Sequence, residues 1–138
     1  MRLKNAEMLA ISSANTTKEV VQIAERIQLN QIDPAALLSA KKIMRDGLGV
    51  LILGLQHETI DLLKKYFAQN ETVQGVQLLG GSLKLSKTDA AFIYGCAIHS
   101  MDFEPMFLPP THAVSPVLAP LIALAQSGEG SGELFLKA

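Results

Sequence analysis

The stretch "HSMDFEPMFLPPTH", His99 to His112, holds two of the chain's three histidines, two carboxylates and the adjacent prolines Pro109 and Pro110. Histidine beside a carboxylate can do acid/base chemistry. Imidazole titrates near neutral pH, and a carboxylate on one ring nitrogen fixes the tautomer that the other nitrogen presents. His99 and Asp102 are spaced to share a face at the end of a helix. Glu104 and His112 follow on the irregular segment beyond.

The same residues admit two other readings. In one, His99 sits at a helix C-terminus, where the dipole favours a cation, and Asp102 and Glu104 are simply solvated. In the other, two histidines and two carboxylates ligate zinc or iron. Their spacing matches no compact ligand motif such as H-E-x-x-H, so no metal is expected. Cys96, within "YGCAIH", has small apolar neighbours and reads as a buried, inert thiol. His57, in "LQHETI", reads as an interhelical turn residue.

The elements that must hold this loop are mostly helices. Residues 1–15 are weakly patterned and expected to be poorly ordered. Residues 16–138 read as a single helical domain. "TTKEVVQIAERIQLN" places Val20, Ala24 and Ile27 at helical spacing, with Thr16 or Thr17 as N-cap. The next helix has Asp33 as N-cap and Pro34 at its first position. Its Leu37, Ala40, Met44, Leu48 and Leu51 trace one face, and Gly47 and Gly49 suggest close approach of a neighbour. In "ETIDLLKKYFAQN", Ile60, Leu63 and Phe67 point inward, with Lys64 and Lys65 solvated.

The period then changes. "VQLLGGSLKLS" alternates around Gly80-Gly81 and predicts a tight hairpin near 76–85 with a primed turn. Ser86 and Asp89 resemble a capping box that launches "TDAAFIYGCAIHSM" as a helix. Pro109-Pro110 stiffens the crossing that follows. "HAVSPVLAPLIALAQSGEGSG" is another apolar helix, and "ELFLKA" starts one more turn or helix. The expected fold class is mainly α, with one short β-hairpin.

Composition bounds the partners. The 138 residues are 49% apolar and only 18% charged, enough for a core and more apolar than a small monomer needs. A homo-oligomer, most simply a homodimer, follows, with surfaces such as Val114, Leu118 and Leu121 covered by another chain. The net charge of −1 and scarce aromatics give no nucleic-acid surface. One cysteine excludes an internal disulfide and suits a reducing compartment. No apolar run approaches the ~18 residues of a membrane span. Glu7 interrupts the N-terminal stretch as a signal peptide, so a cytoplasmic protein is expected.

The order of motifs adds a resemblance. "RDGLGVLILG", "LGGSLKLSKTDAAFIYGCAIHSMDFE", "HAVSPVLAPLIALAQ" and "SGELFLKA" together resemble the N-terminal part of the MmgE/PrpD family, from about residue 17 onward. That family includes 2-methylcitrate dehydratases, cis-aconitate decarboxylases and iminodisuccinate epimerases. The resemblance implies a helical N-terminal domain, a second lid domain, a dimer, and no metal or other cofactor. It implies lyase or isomerase chemistry that moves a proton α to a carboxylate in di- or tricarboxylic acids. Asp102 matches the first aspartate of the family's D-F-D-D-T, and His112 matches the histidine after that loop. These two become the general acid/base candidates, with His99 and Glu104 as candidate substrate contacts.

The departures from the pattern matter. Glu104 replaces the second aspartate, Pro105 the third, Met106 the threonine that reaches substrate, and Tyr94 the asparagine of A-A-F-x-N-G. Methionine cannot donate a hydrogen bond, so a substrate carboxylate there loses a partner, at a cost of about 1–3 kcal/mol. Proton abstraction α to a carboxylate builds negative charge that needs preorganised cations. No lysine or arginine lies between Lys87 and Lys137. The chain is expected to be truncated relative to the family and inactive alone, unless a second polypeptide or a symmetry mate completes it. The alternatives are a non-catalytic oligomerising module and a small carboxylate binder.

Overall fold

A computed structural model describes residues 15–26, 32–107, 111–128 and 130–137. Six helices appear among them: α1 (Thr16–Arg26), α2 (Pro34–Gly54), α3 (Glu58–Phe67), α4 (Lys87–Ser100), α5 (Val114–Gln126) and α6 (Gly132–Lys137). A single 3-10 turn, Ala68–Asn70, follows α3. The expected hairpin is present as β1 (Val76–Gln77) against β2 (Lys84–Leu85). A second antiparallel pair joins β3 (Met106–Phe107) to β4 (Thr111–His112), which the sequence did not suggest. The expectations for residues 1–14, Ile27 and Pro109-Pro110 lie outside the described residues.

Local chemistry explains most of the boundaries. Asp33 caps α2 by accepting from the Ala35 N–H at 2.8 Å, with Pro34 next in the chain. His57 caps α3 through Nδ1, which accepts from the Thr59 N–H at 3.3 Å. Ser86 caps α4 by accepting from the Asp89 N–H at 3.1 Å. The helix α1 instead begins at Thr16, where the Asn15 carbonyl accepts from the Glu19 N–H at 3.0 Å. Its Val20 and Ala24 are exposed, so α1 contributes nothing to the core.

The hairpin turn differs from the primed form. The Gly81 N–H reaches back to the Leu78 carbonyl at 3.2 Å, and only Gly80 has a positive φ, of 75°. That puts the left-handed residue third in the turn, as in type II, where glycine is favoured. Leu78 then donates to Leu83 at 2.9 Å and extends the pairing toward the tip.

The core lies where α4 packs against α5, with α2 and α3 closing over α4. Ala90, Ile93, Tyr94, Ala97 and Ile98 of α4 are fully buried, at the i, i+3, i+4 spacing of an inward face. Leu51 and Ile60 bring α2 and α3 into the same cluster. Phe67 meets Phe92 at 5.7 Å between ring centroids. Val114 and Leu118 of α5 are buried in this core, so they are not the uncovered surface that the sequence suggested. Pro120 lies inside α5, and its ring faces solvent.

Helix α2 shows where close approach is needed. A Cβ on Gly47 would stand 2.6 Å from Leu118 and 2.7 Å from Val114, so that notch admits α5. Gly49 faces outward with nothing within 4 Å. The tightest approach is at Gly54, where a Cβ would overlap the Ala97 carbonyl of α4. Leu48 likewise turns outward, and the inward stripe runs through Met44, Gly47, Leu51 and Gly54. Lys65 is solvated as expected. Lys64 is half-buried, donating from Nζ to the Leu55 carbonyl at 3.3 Å. No described helix is long and apolar enough to cross a membrane.

Candidate functional site

The site is built where α4 ends and α5 begins. His99 stands in the last turn of α4, and Asp102, just beyond it, has a φ of 54°. Aspartate tolerates this left-handed conformation better than most residues, and it turns the chain back under the helix end. The turn is closed by the Asp102 N–H donating to the His99 carbonyl at 3.0 Å. Glu104 is thereby carried inward, where it is 4% exposed, the most deeply buried charged residue among those described.

Burial of a carboxylate demands partners, and Glu104 finds them at the N-terminus of α5. Its Oε1 accepts from the backbone N–H groups of Val114 and Ser115, each at 2.9 Å, and from the Ser115 hydroxyl at 3.1 Å. Ala113, at the position of the N-cap, offers no side chain for that purpose. Glu104 therefore caps α5 from across the loop, and its charge faces the positive end of the helix dipole. Desolvation pushes the Glu104 carboxyl up. The bonds from Ser115, His99 and Val114 together outweigh it and hold the group below the usual glutamate value.

The second oxygen faces both histidines. Glu104 Oε2 lies 3.2 Å from His99 Nδ1 and 3.7 Å from His112 Nδ1. The two rings meet edge to face, with centroids 4.6 Å apart. His112 arrives on β4, whose register sets it opposite Met106 on β3. Its Nδ1 is buried without a hydrogen-bond partner, and its Nε2 lies 3.8 Å from Asp102 Oδ1. At 83% exposure, the Asp102 side chain sits in water, and 3.8 Å is an ionic approach rather than a hydrogen bond.

Asp102, His112, His99 and Glu104 thus come together, with Glu104 at the centre rather than on an open surface. Met106, which the resemblance sets against a substrate-reaching threonine, is exposed beside His112. One ligating atom each from His99, Glu104 and His112 lie within 4.8 Å of one another, close enough to hold a divalent cation. Three protein ligands with a free position is the donor count of a catalytic zinc. The role of Ser115 escaped the sequence reading. Its signal was there: an apolar helix beginning at Val114 without a capping side chain must find its acceptor elsewhere.

The other candidates fall outside this cluster. Cys96 is half-buried on α4, and burial raises its thiol above the usual value, which disfavours the thiolate. Tyr94 donates to Gln126 Oε1 at 2.7 Å and accepts from the Leu79 N–H at 3.1 Å. It ties the hairpin to α4 and α5. An open groove of about 610 Å³ carries Lys42, Arg45 and Asp46 of α2 up to Pro105. These are cations beside the loop that the count between Lys87 and Lys137 did not include.

Comparison with known proteins agrees with the motif order. The MmgE/PrpD N-terminal domain matches residues 18–138. Cis-aconitate decarboxylase of Mus musculus is 30% identical over 118 residues, covering 82% of this chain and 23% of that protein. The Homo sapiens enzyme is 32% identical over 106 residues, covering 73% of this chain and 21% of that protein. The chain spans less than a quarter of the length of these curated relatives. No solved structure matches it. A family match over nearly the whole chain makes this chain a member of the MmgE/PrpD family.

Proposed function

We propose that the chain supplies the acid/base loop of an MmgE/PrpD-type lyase or isomerase acting on a di- or tricarboxylate. The observation that carries this reading is His112, flanked by Asp102 on one ring nitrogen and Glu104 on the other. A proton removed α to a carboxylate would pass to the imidazole, with Asp102 as the neighbouring acid/base group. Negative charge developing on the substrate needs preorganised cations, whereas Asp102 and Glu104 add anions. Lys42 and Arg45 share an open groove with Asp46, where water and carboxylate offset their charge. On this reading the stabilising cations are supplied by another polypeptide or a symmetry mate, and the isolated chain is expected to be inactive.

The test is a pair of assays. The purified 138-residue chain should neither release CO2 from cis-aconitate nor dehydrate 2-methylcitrate. A chimera placing residues 18–138, with Met106→Thr, in the matched segment of the mouse decarboxylase should turn over cis-aconitate and lose it in His112→Ala. Robust turnover by the chain alone, or a chimera indifferent to His112→Ala, would defeat this reading.

A second reading, a non-catalytic module that associates with copies of itself, is favoured by apolar side chains left outside the core. Leu62 and Tyr66, on one face of α3, are each 64% exposed, and Leu48 and Ile52 line an outer face of α2.

A further inference from the structure

We propose that Glu104 is the positioning residue of His112: it holds the imidazole as the Nδ1–H tautomer, leaving Nε2 as the atom that carries the transferred proton. The family resemblance would give that task to Asp102, the carboxylate that matches its motif. The geometry points to the other one.

Both carboxylates stand at nearly equal range, 3.7 Å from Nδ1 for Glu104 and 3.8 Å from Nε2 for Asp102. Distance therefore does not decide between them, and environment does. Asp102 is in water, where the effective dielectric is high and salt screens it. The Glu104 side chain is fully buried, and the same charge at the same range acts there about four-fold more strongly. Glu104 is also ionised at neutral pH and immobile, because its other oxygen holds three donors at the start of α5. A lone pair on Nδ1 would face this anion in a dry setting, and an N–H would be drawn to it.

The buried Nδ1 has no other partner within hydrogen-bond reach. A shift of the ring by about half an ångström closes the gap to bonding distance and satisfies it. His99 already makes the equivalent contact at 3.2 Å, so one carboxylate oxygen takes an N–H from each ring. With Nδ1 protonated, Nε2 keeps its lone pair and opens toward Asp102 and solvent. A proton taken at Nε2 gives an imidazolium between two carboxylates, and its return restores the starting state. The tautomer claim stands on the geometry alone. The claim that Nε2 moves a substrate proton rests on the function proposed above.

The experiment is nitrogen NMR of the imidazole rings in the full 138-residue chain, above neutral pH, in the parent, Glu104→Gln and Asp102→Asn. The Gln variant is informative because α5 presents only donors, so its amide oxygen must take the Oε1 place. Its NH2 then faces the histidines and calls for an acceptor. The parent should show His112 mainly as Nδ1–H, Asp102→Asn should leave it so, and Glu104→Gln should move it mainly to Nε2–H. A helix cap without a positioning role would not produce that exchange.

An Nε2–H tautomer in the parent, or a tautomer that follows Asp102→Asn, would overturn the proposal. So would two unprotonated Nδ1 atoms that respond together to added zinc, since the cluster would then be a metal site. If Glu104→Gln fails to fold, the parent and Asp102→Asn spectra still decide. Loss of the functional reading through an inactive chimera would leave these spectra unchanged, so the two failures are distinguishable.

Discussion

Glu104 Oε1 accepts both the backbone N–H of Ser115, at 2.9 Å, and its hydroxyl, at 3.1 Å. A single side chain thereby closes the N-terminus of α5 and fixes the loop that carries Asp102 and Met106. Stability and site geometry are joined at this contact, which makes it the first place to perturb.

The pH dependence follows from the depressed Glu104 value. A carboxyl that ionises more readily in the folded state contributes stability above its unfolded value, and that stability disappears as pH falls through the folded value. Denaturant midpoints should therefore hold steady near neutrality and drop below about pH 4.5, the ordinary glutamate value. Glu104→Gln should flatten that drop. Ser115→Ala removes one bond of the three and should cost about 0.5–1.5 kcal/mol. A midpoint that falls equally in the parent and the Gln variant would assign acid sensitivity elsewhere.

Tyr94→Phe should destabilise the fold by about 1–3 kcal/mol, because it leaves the Leu79 N–H without its acceptor and Gln126 Oε1 without its donor. Burial raises the phenol above the ordinary tyrosine value, against the pull of the Leu79 and Gln126 contacts. The corresponding stability is present below that ordinary value and is lost as pH rises past it. Denaturation curves at pH 8 and pH 11 should show the parent losing more than Tyr94→Phe.

Three glycines on α2 and its end should behave differently under substitution by alanine. Gly54→Ala drives a methyl into the Ala97 carbonyl and should cost 3 kcal/mol or more, since backbone must move. Gly47→Ala meets only the ends of Leu118 and Val114 and should cost about 1–3 kcal/mol. Gly49→Ala meets nothing and should stabilise the helix by up to about 1 kcal/mol. Equal midpoints for all three variants would contradict this packing.

The sequence made some of this legible and hid the rest for physical reasons. Caps at Asp33 and Ser86 act within three residues, so local spacing reveals them. The inward face of α3, through Ile60, Leu63 and Phe67, follows the helical period. The register of α2 drifted at Leu48 because a small residue, Gly47, occupies the core position one step earlier. Hydrophobicity reports where side chains are greasy, and it misses where a neighbouring helix needs none. The Glu104 cap reaches ten residues along the loop, and the two-residue strands β3 and β4 are too short to show an alternating pattern, so no periodicity records either contact. The motif brings His112 and Asp102 forward as partners, while the deeper carboxylate, Glu104, reads from sequence as a substrate contact or a solvated charge and not as a helix cap.

Self-association is the last expectation, and the exposed apolar side chains say where to test it. Val114 and Leu118 are core residues, so they hold no second chain. The exposed pairs are Leu62 with Tyr66 on α3 and Leu48 with Ile52 on α2, each four residues apart and so on one helix face. Covering them with another copy removes apolar area from water at about 25 cal/mol per Å². Sedimentation of the 138-residue chain at micromolar concentration should show a species heavier than the monomer. Leu62→Lys with Tyr66→Lys should shift it toward monomer, with little effect on the denaturant midpoint extrapolated to low concentration. A parent chain that sediments as a monomer throughout would remove the oligomer. An oligomer untouched by the α3 pair, but dissolved by Ile52→Lys, would place the interface on α2.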